Sequence, residues 1–314
     1  MPGETRSEYG AGLAYGFTAY ALWGLFPLYF ALLDAVPPIE VVAYRIWWSF
    51  VLLAVIITVI RAWRPLLALA RNPRVLLPLA AGAVLLAINW GVYVYAVSTD
   101  QVVEASLGYF INPLVSVALG VIVLRETLRR AQWVALALAV LAVLVMSILM
   151  GTPPWISPIL AFSFGLYGLT KKRVDIESVQ SLTIETAVLA PIALAFIVIG
   201  EVDGTASLGR DGLGLTVLLV LLGPVTAIPL LLFGAAARRM PLSTVGALQY
   251  STPILQFILG ITVFGEVMST GRWIGFALVW VALVIFTVDA LRQARRMRSP
   301  DPASADALAV TEPD

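Results

Sequence analysis

Apolar segments long enough to cross a lipid bilayer follow one another along almost the whole chain, and they constrain its fold more than any other feature. A spanning helix needs about 20 mostly apolar residues, and inside lipid only helices and closed barrels satisfy their own backbone groups. The predicted spans are 10–33, 39–60, 75–98, 103–124, 128–150, 154–171, 179–200, 212–236, 242–264 and 271–291. The chain is therefore predicted to be an all-α integral membrane protein with ten transmembrane helices.

The composition supports this prediction and excludes several kinds of chemistry. Hydrophobic residues make up 60% of the chain, charged residues 12%, and the mean hydropathy is +0.94, whereas soluble domains are nearer half apolar and a quarter charged. Cysteine and histidine are both absent, which excludes thiol and imidazole catalysis and most transition-metal sites. No cofactor and no nucleic-acid partner are expected. Any coupling to protons must use carboxylates, because the usual titrating side chain is missing.

An internal duplication with an offset of 140 positions relates the two halves of the chain. Pro113, Gly120, Glu126 and Trp133 each have an identical residue 140 positions later, and no gap is needed across this window. Repeats of this kind reflect a duplicated structural unit. The duplication therefore sets the architecture that we expect.

Two five-helix repeats are predicted at 10–150 and 154–292, between a cytoplasmic tail at 1–9 and a disordered cytoplasmic tail at 293–314. Five is an odd number, so the second repeat must enter the membrane in the opposite orientation to the first. Inverted repeats are typical of transporters that bind their substrate near the midplane between the repeats. One five-helix half is then expected to rock against the other.

Basic residues are concentrated at one set of span ends. If the N-terminus is cytoplasmic, all but three of the 20 basic residues lie in cytoplasmic segments; Arg45 lies in or near a span, and Arg210 and Arg272 lie in outer loops. The positive-inside rule therefore predicts a multi-pass protein of the bacterial plasma membrane with both termini in the cytoplasm. We call the opposite span ends the outer ends.

Small and polar residues form a stripe on the fourth predicted span. Glu104, Gly108, Asn112, Ser116 and Gly120 recur every four residues, which places them on one face of a helix. Such a stripe is expected to face other helices or a cavity, because polar groups are costly in lipid. Glu104 has two interpretations at this point: it takes part in transport, or it favours the dipole of its own helix.

Two further charges lie inside predicted spans, at positions that differ by 140. Arg45 in the second span is interpreted either as a site for an anionic group such as a carboxylate, or as an interfacial or structurally paired arginine. Glu185 in the seventh span is interpreted as a proton site or an amine-binding group, or as a carboxylate that favours the start of its helix.

Uncharged polar and aromatic residues in the third, fourth and ninth spans complete the candidate site. Small-molecule sites combine apolar walls with a few fixed polar groups, although polar residues in helix bundles commonly hydrogen-bond neighbouring helices instead. The candidates are Asn89, Tyr93, Tyr109, Asn112, Gln249, Tyr250, Thr252 and Gln256. For the set we favour a cavity.

Glu126 and Glu266 match by the 140-residue offset and follow the fourth and ninth spans. We expect them to have a structural role in closing the turn to the next span, near Arg129 or Arg272.

Five segments carry a resemblance to a known family: Ala21–Phe30, Tyr44–Phe50, Glu104–Leu114, Ala161–Leu169 and Leu248–Tyr250. They resemble the RarD branch of the EamA-type transporters, in the drug/metabolite transporter superfamily. The resemblance runs from about residue 10 to about residue 292. It implies a bacterial inner-membrane carrier with two EamA domains, in a branch often labelled as chloramphenicol-sensitivity proteins. It supplies no set of binding residues.

The sequence thus predicts a secondary active transporter, an exporter or exchanger, that moves a small metabolite or drug-like solute by alternating access. No Walker-type glycine-rich loop is present, so ATP is not expected to drive it directly. A channel or a scaffold remains the alternative, and a membrane enzyme is less favoured because no catalytic constellation is evident. The expected partners are a small solute and the bilayer, with a proton as coupling ion and a homodimer left open.

Overall fold

The computed structural model describes residues 2–124, 129–150, 154–172, 174, 176–210, 212–237, 239 and 248–298. Within these ranges the regular structure is helical, without a strand. The helices are α1 (Pro2–Gly24), α2 (Phe26–Ala31), α3 (Pro38–Val59), α4 (Trp63–Ala70), α5 (Pro73–Ser98), α6 (Val102–Leu124), α7 (Arg130–Met150), α8 (Ile156–Lys172), α9 (Ser178–Asp203), α10 (Leu213–Ala237), α11 (Ser251–Thr262) and α12 (Thr270–Arg298).

Six of these helices, α3, α5, α7, α9, α10 and α12, are long and apolar enough to cross a membrane, and α6, α8 and α11 contain shorter apolar helices. The first predicted span is divided, because α1 ends at Gly24 and α2 begins at Phe26 with Pro27 in its first turn. The ninth predicted span begins in residues outside the described ranges. The all-α, multi-pass architecture is confirmed, and the count of ten spans stays a prediction.

Helix ends follow the expected capping chemistry. Asn72 precedes α5, and its side chain accepts a hydrogen bond from the backbone nitrogen of Arg74, as N-cap residues do. Pro73 then occupies the first helical position, where its missing N–H costs nothing. Gly204 ends α9 with φ 76°, a left-handed conformation in which glycine carries no steric penalty.

The largest interfaces between described helices join the two halves of the chain. Helix α3 packs against α9 and α10, α5 and α6 pack against α8, and α7 packs against α12. Two five-helix halves lying side by side would instead make most of their contacts internally. The halves are therefore interleaved, which bears directly on how the protein can move.

The helix positions and their contacts repeat with the 140-residue offset. Helices α3, α5 and α7 begin 140 positions before α9, α10 and α12, respectively. The contact of α5 with α8 has a counterpart in the contact of α10 with α1, and that of α6 with α8 has a counterpart in that of α11 with α1. This pattern supports a duplicated unit, and the inverted orientation of the second copy stays a prediction.

The two largest apolar cores divide most of the helices into groups. One core is built from side chains such as Phe30, Tyr44 and Leu222 of α2, α3, α5, α8, α9 and α10, and it also includes Val102 and Ala105 at the start of α6. We call α1, α2, α3, α5, α8, α9 and α10 the six-helix group, since α2 only continues the first predicted span. The other core contains Leu107 and Phe276 and unites α6, α7, α11 and α12, together with Ala161 of α8; we call α6, α7, α11 and α12 the four-helix group. Each group combines helices from both halves of the chain.

Candidate substrate site

A cavity of about 100 Å³ lies where the six-helix and four-helix groups meet. Aromatic side chains from α1, α2, α5, α6, α8 and α10 form much of its wall, and polar side chains come from α3, α5 and the α11 region. Seven of the residues predicted from the sequence line it: Arg45, Asn89, Tyr93, Tyr109, Gln249, Thr252 and Gln256. The structure therefore brings together residues that are as much as 211 positions apart in the chain.

Arg45 lies on α3 and contributes a buried guanidinium to the cavity; the residue is only 3% exposed. Its Nε donates a hydrogen bond to Thr226 Oγ1 on α10 at 2.8 Å. The guanidinium carbon lies 4.3 Å from the ring centroid of Trp90, 5.3 Å from that of Phe26 and 5.4 Å from that of Phe30. Cation–π contacts at these distances are favourable and offset part of the cost of burying the charge.

The charge of Arg45 has no counterion among the described residues. The ion pairs seen there involve Arg129, Arg210 and Arg272 instead. Its Nη1 is buried and has no hydrogen-bond partner. A buried, unpaired cation costs several kcal/mol unless water or a ligand compensates it. Of the described residues that line the cavity, Arg45 alone is charged, so the cavity carries net positive charge.

Gln256 on α11 is fixed by two hydrogen bonds from its amide nitrogen, to the backbone oxygen of Trp23 at 3.1 Å and to Tyr93 Oη at 3.0 Å. A carbonyl oxygen can only accept, so the nitrogen of the amide must be the atom that faces Trp23. The amide oxygen, Oε1, is buried without a partner. The cavity therefore contains an unused acceptor as well as an unused cationic donor.

The polar groups of Asn89 and Thr252 form hydrogen bonds to neighbouring helices. Asn89 Nδ2 donates to the backbone oxygen of Leu160 and to Ser163 Oγ, each at 3.0 Å, and its Oδ1 accepts a 3.3 Å hydrogen bond from Tyr109 Oη. Thr252 Oγ1 donates to the backbone oxygen of Tyr20 at 2.8 Å. These two residues line the cavity, but their hydrogen bonds join neighbouring helices.

The acceptors of these hydrogen bonds follow the duplication, whereas the donors Asn89 and Thr252 do not. The carbonyl of Tyr20 on α1 and that of Leu160 on α8 both accept a side-chain hydrogen bond, and the two positions differ by 140. The same offset relates Trp23, which accepts from Gln256, to Ser163, which accepts from Asn89. The acceptor positions on α1 and α8 are thus repeated, whereas the side chains that donate to them differ.

Glu104 lies outside the cavity and joins α6 to α8. Its Oε1 accepts a hydrogen bond from the backbone nitrogen of Ile156 at 3.0 Å, and its backbone oxygen accepts one from Ser157 Oγ at 2.6 Å. The carboxylate therefore caps α8 and not its own helix. A Cβ on Gly108 would lie 2.8 Å from the backbone oxygen of Ser157 on α8. The stripe of small and polar residues on α6 therefore faces a neighbouring helix here, as predicted. The side chain of Ser116 and the surroundings of Gly120 are outside the described part.

The remaining predicted site residues do not line the cavity. Glu185 is buried and accepts hydrogen bonds from Tyr167 Oη at 3.1 Å and Ser181 Oγ at 3.2 Å. Asn112 is buried on α6, and its Oδ1 has no hydrogen-bond partner. Tyr250 lines a separate, apolar groove together with Trp280 and other residues.

Glu266 lies near Arg272 as expected, but its carboxylate joins the other half of the chain instead of closing the turn to the next span. Its Oε1 accepts a hydrogen bond from the backbone nitrogen of Val103 at 3.0 Å, and its Oε2 lies 3.9 Å from Arg272 Nη1. Burial raises the pKa of the Glu266 carboxyl above its ordinary value of 4.5, against the lowering effects of the Val103 N–H and of Arg272. Its counterpart Glu126 lies outside the described residues.

Sequence reasoning missed the partners that hold Arg45. Phe26 and Thr226 lie far from Arg45 in the chain, and neither has a distinctive sequence pattern. Trp23 and Phe26 do lie in one of the segments that carry the family resemblance. That segment was the available signal for these two aromatic residues, whereas Tyr93 and Tyr109 were predicted from their places in the spans.

Comparison with known proteins agrees with this architecture. The EamA-like transporter family matches the chain twice, at residues 10–148 and 156–288. The chain is 49% identical to Protein RarD of Streptomyces exfoliatus over 308 residues, covering 98% of each chain. It is 41% identical to Protein RarD of Escherichia coli (strain K12) over 285 residues, covering 91% of this chain and 96% of that one.

A further relative is described as a transporter. The chain is 40% identical over 299 residues to Uncharacterized transporter YojE of Bacillus subtilis (strain 168), covering 94% of this chain and 99% of that one. A solved crystal structure covers 92% of this chain and 99% of its own, with a TM-score of 0.57 and 19% identity, which shows the fold alone. On the two family matches and the full-length similarity, this chain belongs to the EamA-like transporter family and, within it, to the RarD branch.

Proposed function

We propose that this protein is a secondary active transporter of the plasma membrane that moves a small solute by alternating access, with both termini in the cytoplasm. One observation carries the proposal: a cavity between two helix groups contains a buried cation, Arg45, with an unused donor. Membership of a transporter family supports the same function. A structural core has no reason to keep such a charge uncompensated, whereas a substrate site does.

The movement that we propose differs from the rocking of one five-helix half against the other. The halves are interleaved, so separating them would break the largest helix interfaces. The cavity lies instead at the boundary between the six-helix and four-helix groups, each of which combines helices from both halves. Movement of one group against the other opens the cavity and keeps the interfaces of α3 with α9 and α10, of α5 with α8 and of α7 with α12, whereas the contacts of α6 with α8 and of α11 with α1 must rearrange.

The cavity is small compared with sites for drug-sized ligands. Sites for drug-sized ligands usually occupy about 300–1,000 Å³, and this cavity measures about 100 Å³. Larger solutes would enter only after the groups separate. The hydrogen bonds that cross the boundary here, such as Tyr109 to Asn89 and Thr252 to Tyr20, are those that opening would exchange for water.

Energy comes from substrate exchange or from an ion gradient in this proposal, and export or exchange is the direction we favour. If protons are the coupling ion, a carboxylate must carry them, because the chain has no histidine. Glu104 and Glu185 are buried carboxylates in described helices, and we propose them as the candidates to carry the coupling proton.

The test is counterflow in proteoliposomes. Vesicles preloaded with one unlabelled compound are challenged with the same labelled compound, from a panel of carboxylates, amino acids, amines, sugars and chloramphenicol. We expect saturable, trans-stimulated uptake of at least one compound, its loss in Arg45→Gln, and its retention in Arg210→Gln, a control arginine in an outer loop. Uptake that rises linearly without trans-stimulation would indicate a channel, and uptake no faster than in protein-free vesicles would favour a scaffold.

A further inference from the structure

The chemistry of the cavity specifies the class of solute, an inference that rests on the proposed function. Arg45 has three contacts with aromatic rings and one hydrogen bond, through Nε to Thr226. None of these neighbours carries negative charge, and Nη1 remains unpartnered. The planar fork of a guanidinium matches a carboxylate. A bound carboxylate would supply both the missing negative charge and a hydrogen-bond partner for Nη1.

The net charge of the solute follows from the rest of the wall. Apart from Arg45, the described lining residues are neutral, so nothing there offsets a positive group on the solute. An ammonium group held within a few ångströms of the guanidinium would be repelled in this poorly solvated site. A monoanion is therefore favoured over a zwitterion or an amine.

Gln256 adds a requirement for a hydrogen-bond donor. Its amide nitrogen is committed to Trp23 and Tyr93, so Oε1 points to no protein donor and is buried. An unsatisfied buried acceptor is costly, and a donor that satisfies it is correspondingly favoured. A hydroxyl or a neutral amide N–H meets this need without adding positive charge.

We propose that the cavity binds a compact carboxylate of net charge −1 that also carries a hydroxyl or amide donor. The carboxylate pairs with Arg45, and the donor hydrogen-bonds to Gln256 Oε1. Hydroxy-carboxylates are the simplest compounds of this kind. A cavity of about 100 Å³ suits such a compound better than a drug-sized one.

A set of size-matched probes tests each part of the proposal on the purified full-length protein in detergent. L-Lactate has the carboxylate and the hydroxyl, propionate lacks the hydroxyl, L-lactamide lacks the charge, and L-alanine replaces the hydroxyl with an ammonium. The five-carbon homologues form a second set for a site that prefers a longer solute. Binding is read as the concentration dependence of the thermal unfolding midpoint, because a ligand that binds only the folded state raises it.

We expect the hydroxy-carboxylate to bind most tightly in at least one set, propionate or its homologue more weakly, and the amide and the amino acid weakest. Equal binding of carboxylate and amide, tighter binding of the amino acid, or no stabilisation by the carboxylates of either set would overturn the proposal. This measurement needs no flux. Binding without flux would refute the transporter function alone, and saturable flux of only neutral compounds would refute this inference alone.

Variants separate a ligand-binding Arg45 from a structural one. Arg45→Gln should weaken carboxylate binding by roughly tenfold or more and abolish the preference over the amide. Thr226→Val removes the acceptor for Nε but leaves the charge, so affinity should fall while the preference for the carboxylate remains. Thr183→Val is the matched control, because this buried hydroxyl bonds only the carbonyl of Val179 in its own helix. A folded Arg45→Gln protein that keeps the carboxylate preference would contradict the assignment.

Discussion

Glu40 binds Ser207 with both of its carboxylate oxygens. Oε1 accepts from the Ser207 backbone nitrogen at 2.7 Å, and Oε2 accepts from Ser207 Oγ at 3.0 Å. Glu40 lies in the first turn of α3, and Ser207 lies between α9 and α10, so the contact joins the two halves of the chain. Glu104 and Glu266 likewise accept hydrogen bonds from backbone nitrogens of the other half. All three lie at the predicted outer ends of the helices, and we expect them to hold that end closed.

Replacing Glu40 should destabilise the protein. Glu40→Ala leaves the N–H and the hydroxyl of Ser207 without their partner in a buried place, at an expected cost of about 2–3 kcal/mol. The thermal unfolding midpoint of the purified protein measures the loss. Glu201→Ala is the control, since Glu201 is an exposed carboxylate that lies 3.6 Å from Arg210, and exposed pairs contribute about 1 kcal/mol or less. Equal losses in the two variants would show that the Glu40–Ser207 contact stabilises the protein no more than an exposed ion pair does.

Glu266 should make stability depend on pH. Burial raises its pKa above the ordinary 4.5, and Asp100 adds to this effect, while the Val103 N–H and Arg272 oppose it. A carboxyl whose pKa is raised on folding contributes stability that is fully present below its unfolded pKa and is lost as the pH rises through its folded pKa. The unfolding midpoint of the unmodified protein should therefore fall relative to that of Glu266→Gln between pH 4.5 and neutral pH. A difference between the two proteins that stays constant, or that grows in favour of the unmodified protein, would contradict the shift.

The close packing of α3 against α10 depends on Gly223. A Cβ at this position would lie 2.5 Å from the backbone oxygen of Trp48, so Gly223→Ala should force the helices apart and destabilise the protein by about 1–3 kcal/mol. Because Arg45 reaches Thr226 across the same interface, solute binding should weaken as well. Gly91→Ala is the matched control in a helix interior, since its Cβ would meet nothing within 4 Å, and alanine there should stabilise by up to about 1 kcal/mol. Similar unfolding midpoints for the two variants would contradict this account of the interface.

Joining the two helix groups covalently should stop transport. A Cβ at Gly24 on α1 would lie 2.8 Å from the Cβ of Leu255 on α11, close enough for a disulfide after a small adjustment. The chain has no cysteine of its own, so the pair Gly24→Cys/Leu255→Cys can be oxidised without side reactions. We expect oxidation to abolish counterflow and reduction to restore it, with each single variant insensitive to oxidant. Unchanged flux in the fully oxidised pair would show that these groups do not separate during transport.

The sequence alone was sufficient for most of the long helices and for the offset between them, but it predicted neither the break between α1 and α2 nor the short helix α4. Runs of about 20 apolar residues are forced into helices by the lack of water to satisfy the backbone, and the offset of 140 anticipated that α3 and α9 begin at equivalent positions. The intramembrane polar residues also identified most of the polar cavity lining, because polar groups in lipid must find partners. Arg45 and Gln256 were predicted on this ground and lie in the same cavity.

Only the tertiary structure decided which partner each polar group has. The sequence allowed Glu104 to favour its own helix, but packing places its carboxylate at the start of α8. From the sequence, Arg45 and Glu185 were equally good candidates for a role in transport, but of the two only Arg45 lines the cavity. It suggested two halves that move as units, whereas the helices interleave. Hydrophobicity determines which segments enter the membrane, but contacts between distant helices depend on shape and on short-range hydrogen bonds, which no local pattern encodes.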